Sequence, residues 1–163
     1  MTSPRIAPLL LLIASMAVVG GALLFQYVGG LAPCELCLAE RWPWYFAIGF
    51  SVLAVVINEK AAVPGVMAVC GLLLLANTAL AFYHMGVEFH WFAGPTACTG
   101  TDAPPDSLEA FRQRLLNRQQ IRCDEVQWAL FGVSLAGWNM LASAVMTVFC
   151  GLTLKRSLRE EAL

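Results

Sequence analysis

The chain has 163 residues, of which 59% are hydrophobic and only 13% charged, with a mean hydropathy of +0.69 and a net charge of -1. Such a balance excludes an ordinary soluble domain, and the near-zero charge without a basic arm excludes nucleic acid as a partner. The solvent this composition suits is a lipid bilayer.

In chain order, the uncharged run Ile6 to Val28 exceeds the roughly 20 residues a helix needs to cross a hydrocarbon core, so it predicts a first span at about 6–28. A cleaved signal peptide is the alternative, since Arg5 precedes the run. The run is too long for a signal core and no A-x-A-like site follows, so an uncleaved helix is expected. A polar stretch at about 29–41 forms a short loop. The next run, Trp42 to Asn58, is at the short end of the spanning range, but Trp42, Trp44 and Tyr45 suit an interfacial belt, and a span at about 42–58 is predicted. A third span follows at about 61–87. Pro8, Pro43 and Pro64 each fall in a first helical turn, where the missing amide hydrogen costs little.

The long polar segment at about 88–135 carries one element of its own. Asp106 and Glu109 resemble a capping box, and Leu108, Phe111 and Leu115 recur at helical spacing with arginines interleaved, which predicts an amphipathic helix at 107–122. Such a helix lies either in the headgroup layer or against the rest of the loop. Val126 to about Leu135 is expected at the interface, and Trp138 and Asn139 mark entry into a fourth span at about 136–154, followed by a tail at 155–163. The expected fold is thus an all-α membrane protein, a single four-helix transmembrane bundle with a short and a long loop on one side and both termini on the other. Counting arginine and lysine gives a tie between the sides, because Arg5, Lys60, Lys155, Arg156 and Arg159 face Arg41, Arg112, Arg114, Arg118 and Arg122.

Cysteine chemistry decides the orientation better. Cys34 and Cys37 lie in the short loop, Cys98 and Cys123 in the long one, so all four share an aqueous side, and an oxidising periplasm or lumen suits them. Both termini are then cytoplasmic. A C-x-x-C pair can close a small, reducible disulfide, but from spacing alone redox exchange, zinc binding and structural staples all stay open. Zinc normally wants a second closely spaced pair, whereas 24 residues separate Cys98 from Cys123 and no histidine is suitably spaced beside them, so no metal is expected. If a helix begins near Cys37, Arg41 shares its face, where a cation favours thiolate and polarises a carbonyl of an electron acceptor. Glu35 and Glu40 oppose the thiolate effect. Cys70 and Cys150, inside the third and fourth spans, read as small apolar residues. Asn77, Thr78, His84 and Asn139 are polar groups in or near spans that form interhelical hydrogen bonds or line a ligand pocket, and His84 is near enough to the cysteine-bearing surface to be a candidate contact for a bound electron acceptor.

The string Pro33-Cys34-Glu35-Leu36-Cys37-Leu38-Ala39-Glu40-Arg41, a cysteine in each half of the long loop, and the tail Cys123-Asp124-Glu125, Trp128, Phe131-Gly132-Val133-Ser134 and Trp138-Asn139 together resemble the DsbB family of bacterial inner-membrane thiol:quinone oxidoreductases over nearly the whole chain. Tyr83 to Glu88 departs from the best-known relatives. The resemblance implies an electron relay. A periplasmic thioredoxin-fold dithiol oxidase (DsbA-like) would attack Cys98, Cys123 would exchange with Cys34, and Cys37 would pass electrons to a membrane quinone, ubiquinone or menaquinone, held near Arg41. Two other readings compete: a quinone reductase resembling the vitamin K epoxide reductase family, whose C-x-x-C usually lies in a late span, and a non-enzymatic scaffold resembling tetraspanins, whose Cys-Cys-Gly signature is absent here.

Overall fold

A computed structural model describes residues 5–95, 98, 107–109, 112 and 122–161, so the amphipathic helix expected at 107–122 lies almost wholly outside the described residues. The apolar runs fold as helices: α1 (Ile6–Tyr27), α2 (Glu35–Ala39), α3 (Arg41–Ile57), α4 (Ala62–Glu88) and α5 (Leu135–Glu161). Pro8, Pro43 and Pro64 each occupy the third position of their helix, among the amides that have no intrahelical acceptor in any case. Asn58, in the left-handed region at φ 55°, stops α3, and the four residues 58–61 return the chain into α4.

α1 packs on α3, α3 on α4, and α4 along much of its length on α5. Each neighbour runs antiparallel to the last, because the end of α1 meets the start of α3 (Gln26 with Arg41) and the end of α4 meets the start of α5 (Glu88 with Ser134). Leu11, Trp44, Ala47, Met67, Cys70, Leu74 and Cys150 form the buried core. Cys70 and Cys150 therefore sit where small apolar groups are needed. Leu10, Met16, Leu72 and Val145 point outward and are at least half exposed, which makes the outer surface apolar and suited to lipid. α1, α4 and α5 are long and apolar enough to cross a membrane. α3 has 17 residues, about 25 Å of helix at about 1.5 Å per residue.

The architecture is mostly helical, as an all-α membrane protein should be, with one small addition: Ala129–Leu130 pairs antiparallel with Val133–Ser134, Ala129 opposite Ser134. Phe131 and Gly132 turn the hairpin with φ of 53° and 78°, the pair of positive values that a two-residue type I′ turn requires and that glycine makes accessible at its second position. The last helix runs through the expected span at 136–154 and on to Glu161, since Lys155 to Glu161 is rich in good helix formers.

At the loop end of the bundle a second buried cluster joins Cys34, Leu36, Val87, Cys98 and Cys123, with Cys37, Leu80 and Tyr83 packed against it. The end of α4 thus serves as the floor on which both loops rest.

Candidate functional site

Cys34 follows Pro33 in an extended conformation and is the N-cap of α2; its Sγ accepts a hydrogen bond from the Cys37 amide at 3.2 Å. One turn of helix brings Cys37 Sγ to 2.7 Å from Cys34 Sγ. The hydrogen bond from the Cys37 side chain holds the Cys34 thiol below its ordinary range against the opposing effect of burial. The shared proton stays on Cys37, which that same hydrogen bond, burial and the Cys34 charge together push well above the usual thiol range. α2 and α3 are separate helices that break at Glu40, so Cys37 and Arg41 do not ride one continuous helix as the spacing suggested. Both nonetheless line one cavity.

Glu40 is the residue whose role sequence reasoning missed. Far from merely opposing a thiolate, its carboxylate is 5% exposed and holds three helices together. Oε1 lies 2.6 Å from His84 Nδ1, and Oε2 accepts from Asn139 Nδ2 at 2.6 Å. Asn139 Oδ1 in turn accepts from Trp44 Nε1 at 2.8 Å. Oriented by its neighbours, Asn77 donates to the Glu40 main-chain carbonyl at 3.1 Å and accepts from Ser143 Oγ at 2.9 Å. The available signal was Glu40 three residues beyond Cys37, one helical turn away. His84 and Asn139 are 44 and 99 residues distant, and no local pattern could announce them.

With its Nδ1–H given to Glu40, His84 presents Nε2 toward Cys34 Sγ at 3.5 Å. His84 is 3% exposed. The side chain expected to touch a quinone thus stands against the first cysteine and lines the cavity as well. Glu88, one turn on, hydrogen-bonds Ser134 Oγ, which also accepts from the Gly137 amide at 3.2 Å.

Cys98 and Cys123 are joined by a disulfide, their Cα atoms 5.4 Å apart. The Cys123 amide donates to Cys98 O at 3.1 Å, and Arg122 grips Asp124 through two hydrogen bonds of 2.9 and 2.7 Å. That contact holds the Asp124 carboxyl below its usual range. The decisive placement is of Cys123 itself: its sulfur, Cys34 Sγ and a His84 ring nitrogen all lie within 4.8 Å of one another. The two loops bring their cysteines together.

The cavity beside them has a volume of about 360 Å³. Val18, Ala22 and Phe25 of α1 furnish an apolar wall, and Cys37, Glu40, Arg41, His84 and Asn139 converge on it. Arg41 Nη1 donates to Gln26 Oε1 at 2.6 Å, which anchors the guanidinium at the α1 side.

Comparison with known proteins identifies relatives of this chain. The chain is 29% identical over 174 residues to Disulfide bond formation protein B 1 of Pseudomonas aeruginosa, covering 98% of each chain. It is 30% identical over 154 residues to Disulfide bond formation protein B of Burkholderia pseudomallei, covering 90% of this chain and 87% of the relative. Over 152 residues it is 23% identical to Uncharacterized protein RP370 of Rickettsia prowazekii, at 92% and 87% coverage. No solved structure matches. The family described as Disulfide bond formation protein DsbB matches residues 4–153, a stretch that takes in both cysteine pairs, the Glu40 hub, α1, α3, α4 and most of α5, and the chain belongs to that family.

Proposed function

We propose that this membrane protein is a thiol:quinone oxidoreductase that reoxidises a periplasmic DsbA-like, thioredoxin-fold dithiol protein and passes the electrons to a membrane quinone. In this reading α3 is the fourth span, both loops face the periplasm of a bacterial inner membrane and both termini are cytoplasmic. The observation that carries it is the approach of Cys123 to Cys34 within 4.8 Å, which places two redox pairs from separate loops within exchange range.

The partner's thiolate attacks Cys98, forming a mixed disulfide and expelling the Cys123 thiolate; the partner's second thiolate then displaces Cys98 and leaves the partner oxidised. With Cys34 and Cys37 joined beforehand, the Cys123 thiolate attacks Cys34 and expels Cys37. Cys98 then attacks Cys123, the long-loop disulfide reforms, and the two electrons rest on the Cys34 and Cys37 thiols. His84 Nε2, aimed by Glu40, is placed to take the Cys34 proton. While Cys34 is bonded to Cys123, neither its hydrogen bond nor its charge holds the proton on Cys37, so Cys37 is released as thiolate at the cavity.

A cavity of about 360 Å³, apolar on the α1 side and lined by the Arg41 and Arg122 guanidiniums, the His84 imidazole and the Cys34 and Cys37 thiols, has the size and chemistry a quinone ring requires. Arg41, and His84 once Nε2 carries the Cys34 proton, would hold its oxygens and Cys37 would face it. A quinone, when bound, supplies the terminal two-electron acceptor. The test is quinone reduction by the purified protein with a reduced thioredoxin-fold donor. Absence of donor-dependent reduction, in protein that retains its melting temperature, would refute the reading.

A further inference from the structure

The long-loop cysteine and the C-x-x-C pair are not spaced in sequence like a metal site, and the histidine that completes one comes from a third element. We propose that the fully reduced protein binds one thiophilic divalent cation, of the zinc class, through Cys34 Sγ, Cys123 Sγ and His84 Nε2. These three donors are all buried and lie within 4.8 Å of one another, with Cys34 Sγ and His84 Nε2 at 3.5 Å. In a tetrahedral zinc site with bonds of about 2.3 Å to sulfur and about 2.0 Å to nitrogen, neighbouring donors stand about 3.5–3.8 Å apart, so closure by about 1 Å at most completes the triangle.

The surroundings of the histidine strengthen the assignment. Ligating histidines almost always give their other ring N–H to a carboxylate, which fixes the tautomer and raises basicity. His84 does so to Glu40 at 2.6 Å, and Asn139 holds that carboxylate from behind. In the neutral form that gives Nδ1–H to Glu40, the imidazole offers Nε2 as a lone pair.

Binding involves no redox step. Two thiols release their protons to solvent as their sulfurs coordinate the cation. The Cys98–Cys123 disulfide withholds one donor, so the site exists only when both pairs are thiols. Capture of the cation removes the two sulfurs that would otherwise join, and it arrests exchange between the loops. The inference rests on the redox reading only in requiring that both pairs reach the thiol state, which a chemical reductant also achieves.

The experiment titrates Co²⁺ alone into detergent-solubilised protein reduced with a phosphine and freed of reductant, then displaces it with Zn²⁺. The expected result is one Co²⁺ per chain with tetrahedral ligand-field and thiolate charge-transfer bands, and none with both pairs oxidised. His84→Gln and Cys123→Ser should each lower affinity at least about tenfold, while Cys70→Ala with Cys150→Ala leaves it unchanged. X-ray absorption on the reduced, zinc-loaded wild-type protein reads the ligands directly, should a variant fail to fold, and should show at least two sulfurs and one imidazole. An octahedral spectrum, a zinc shell without imidazole, wild-type affinity in His84→Gln, or equal binding by the oxidised protein would overturn the site. Metal binding without quinone reduction would sink only the proposed activity, and quinone reduction without metal binding only this site.

Discussion

Removal of the Glu40 carboxylate is the perturbation whose cost follows most directly from the structure. Glu40→Ala strips a buried acceptor from two donors, His84 Nδ1–H and Asn139 Nδ2, both held at 2.6 Å. His84 is buried and Asn139 partly so; a buried polar group left unpaired costs about 1–3 kcal/mol, so the loss is about 1–3 kcal/mol at His84 and at most as much again at Asn139. Glu40→Gln keeps one acceptor oxygen and turns the other into a donor facing a donor, so about half that loss is expected. The coupling is testable by a cycle with His84→Ala: removing both partners deletes the unmatched pair together, and the double variant should be less destabilised than the sum of the singles by about 1–3 kcal/mol. Stability is read in detergent from the rate and midpoint at which Cys70 and Cys150, fully buried in the core, become available to a thiol reagent. A Glu40→Ala loss below about 0.5 kcal/mol, or strict additivity with His84→Ala, would show that the carboxylate is solvated and that the hub does not exist as described.

Arg41→Met should raise the apparent KM for quinone and leave that for the thioredoxin-fold donor unchanged in steady-state assays, because only the cation is lost; equal effects on both would reduce Arg41 to a lipid anchor. With Cys98 and Cys123 both changed to serine, quinone should still oxidise the Cys34 and Cys37 pair while oxidation of the partner nearly stops; Cys123→Ser alone should prolong a mixed disulfide through Cys98, seen on non-reducing gels and by mass spectrometry. Cys70→Ala with Cys150→Ala should keep near-wild-type turnover, since both sulfurs lie in the helical core far from either loop, and loss of most turnover at normal expression would contradict that. In the reduced protein, alkylation of Cys34 should titrate below the ordinary thiol range and that of Cys37 above it. The sign follows: the lowered Cys34 pKa favours the fold at pH above the ordinary thiol value, and that contribution is lost as pH falls through the lowered pKa. Cys34→Ala should move the Cys37 midpoint down, because the hydrogen bond and charge that retain its proton are gone.

How much of this was visible beforehand differs by the kind of information involved. The long helices were legible because lipid demands uninterrupted apolar runs: Ile6 to Val28 predicted α1 to within one residue, and Ala61 to Val87 predicted α4 to within one at each end. Proline at a third helical position and Asn58 at a helix end are likewise local signals. The hairpin at Ala129–Ser134 was not read, because two residues per strand are too few for an alternation to register, and only Gly132 hinted at the turn. The two cysteine pairs and Arg41 stood out through motif and resemblance. The network joining Glu40, His84, Asn139 and Trp44 was not, since it is assembled from three helices and only packing decides which polar groups meet.

The position of Cys34 at the head of α2 gives the short loop a property of its own. Its sulfur is at once the proposed reactive atom and the acceptor that caps the helix, through the Cys37 amide. Five residues are far too few to hold a helix unaided, so the folding of this segment follows the charge on one atom. When that sulfur is tied to Cys123 it is a poorer acceptor, and α2 should loosen, which frees Cys37 to turn. Local order in the loop thereby becomes a readout of the electron count, and amide exchange at Cys37 would register each oxidation state without any chemical trap.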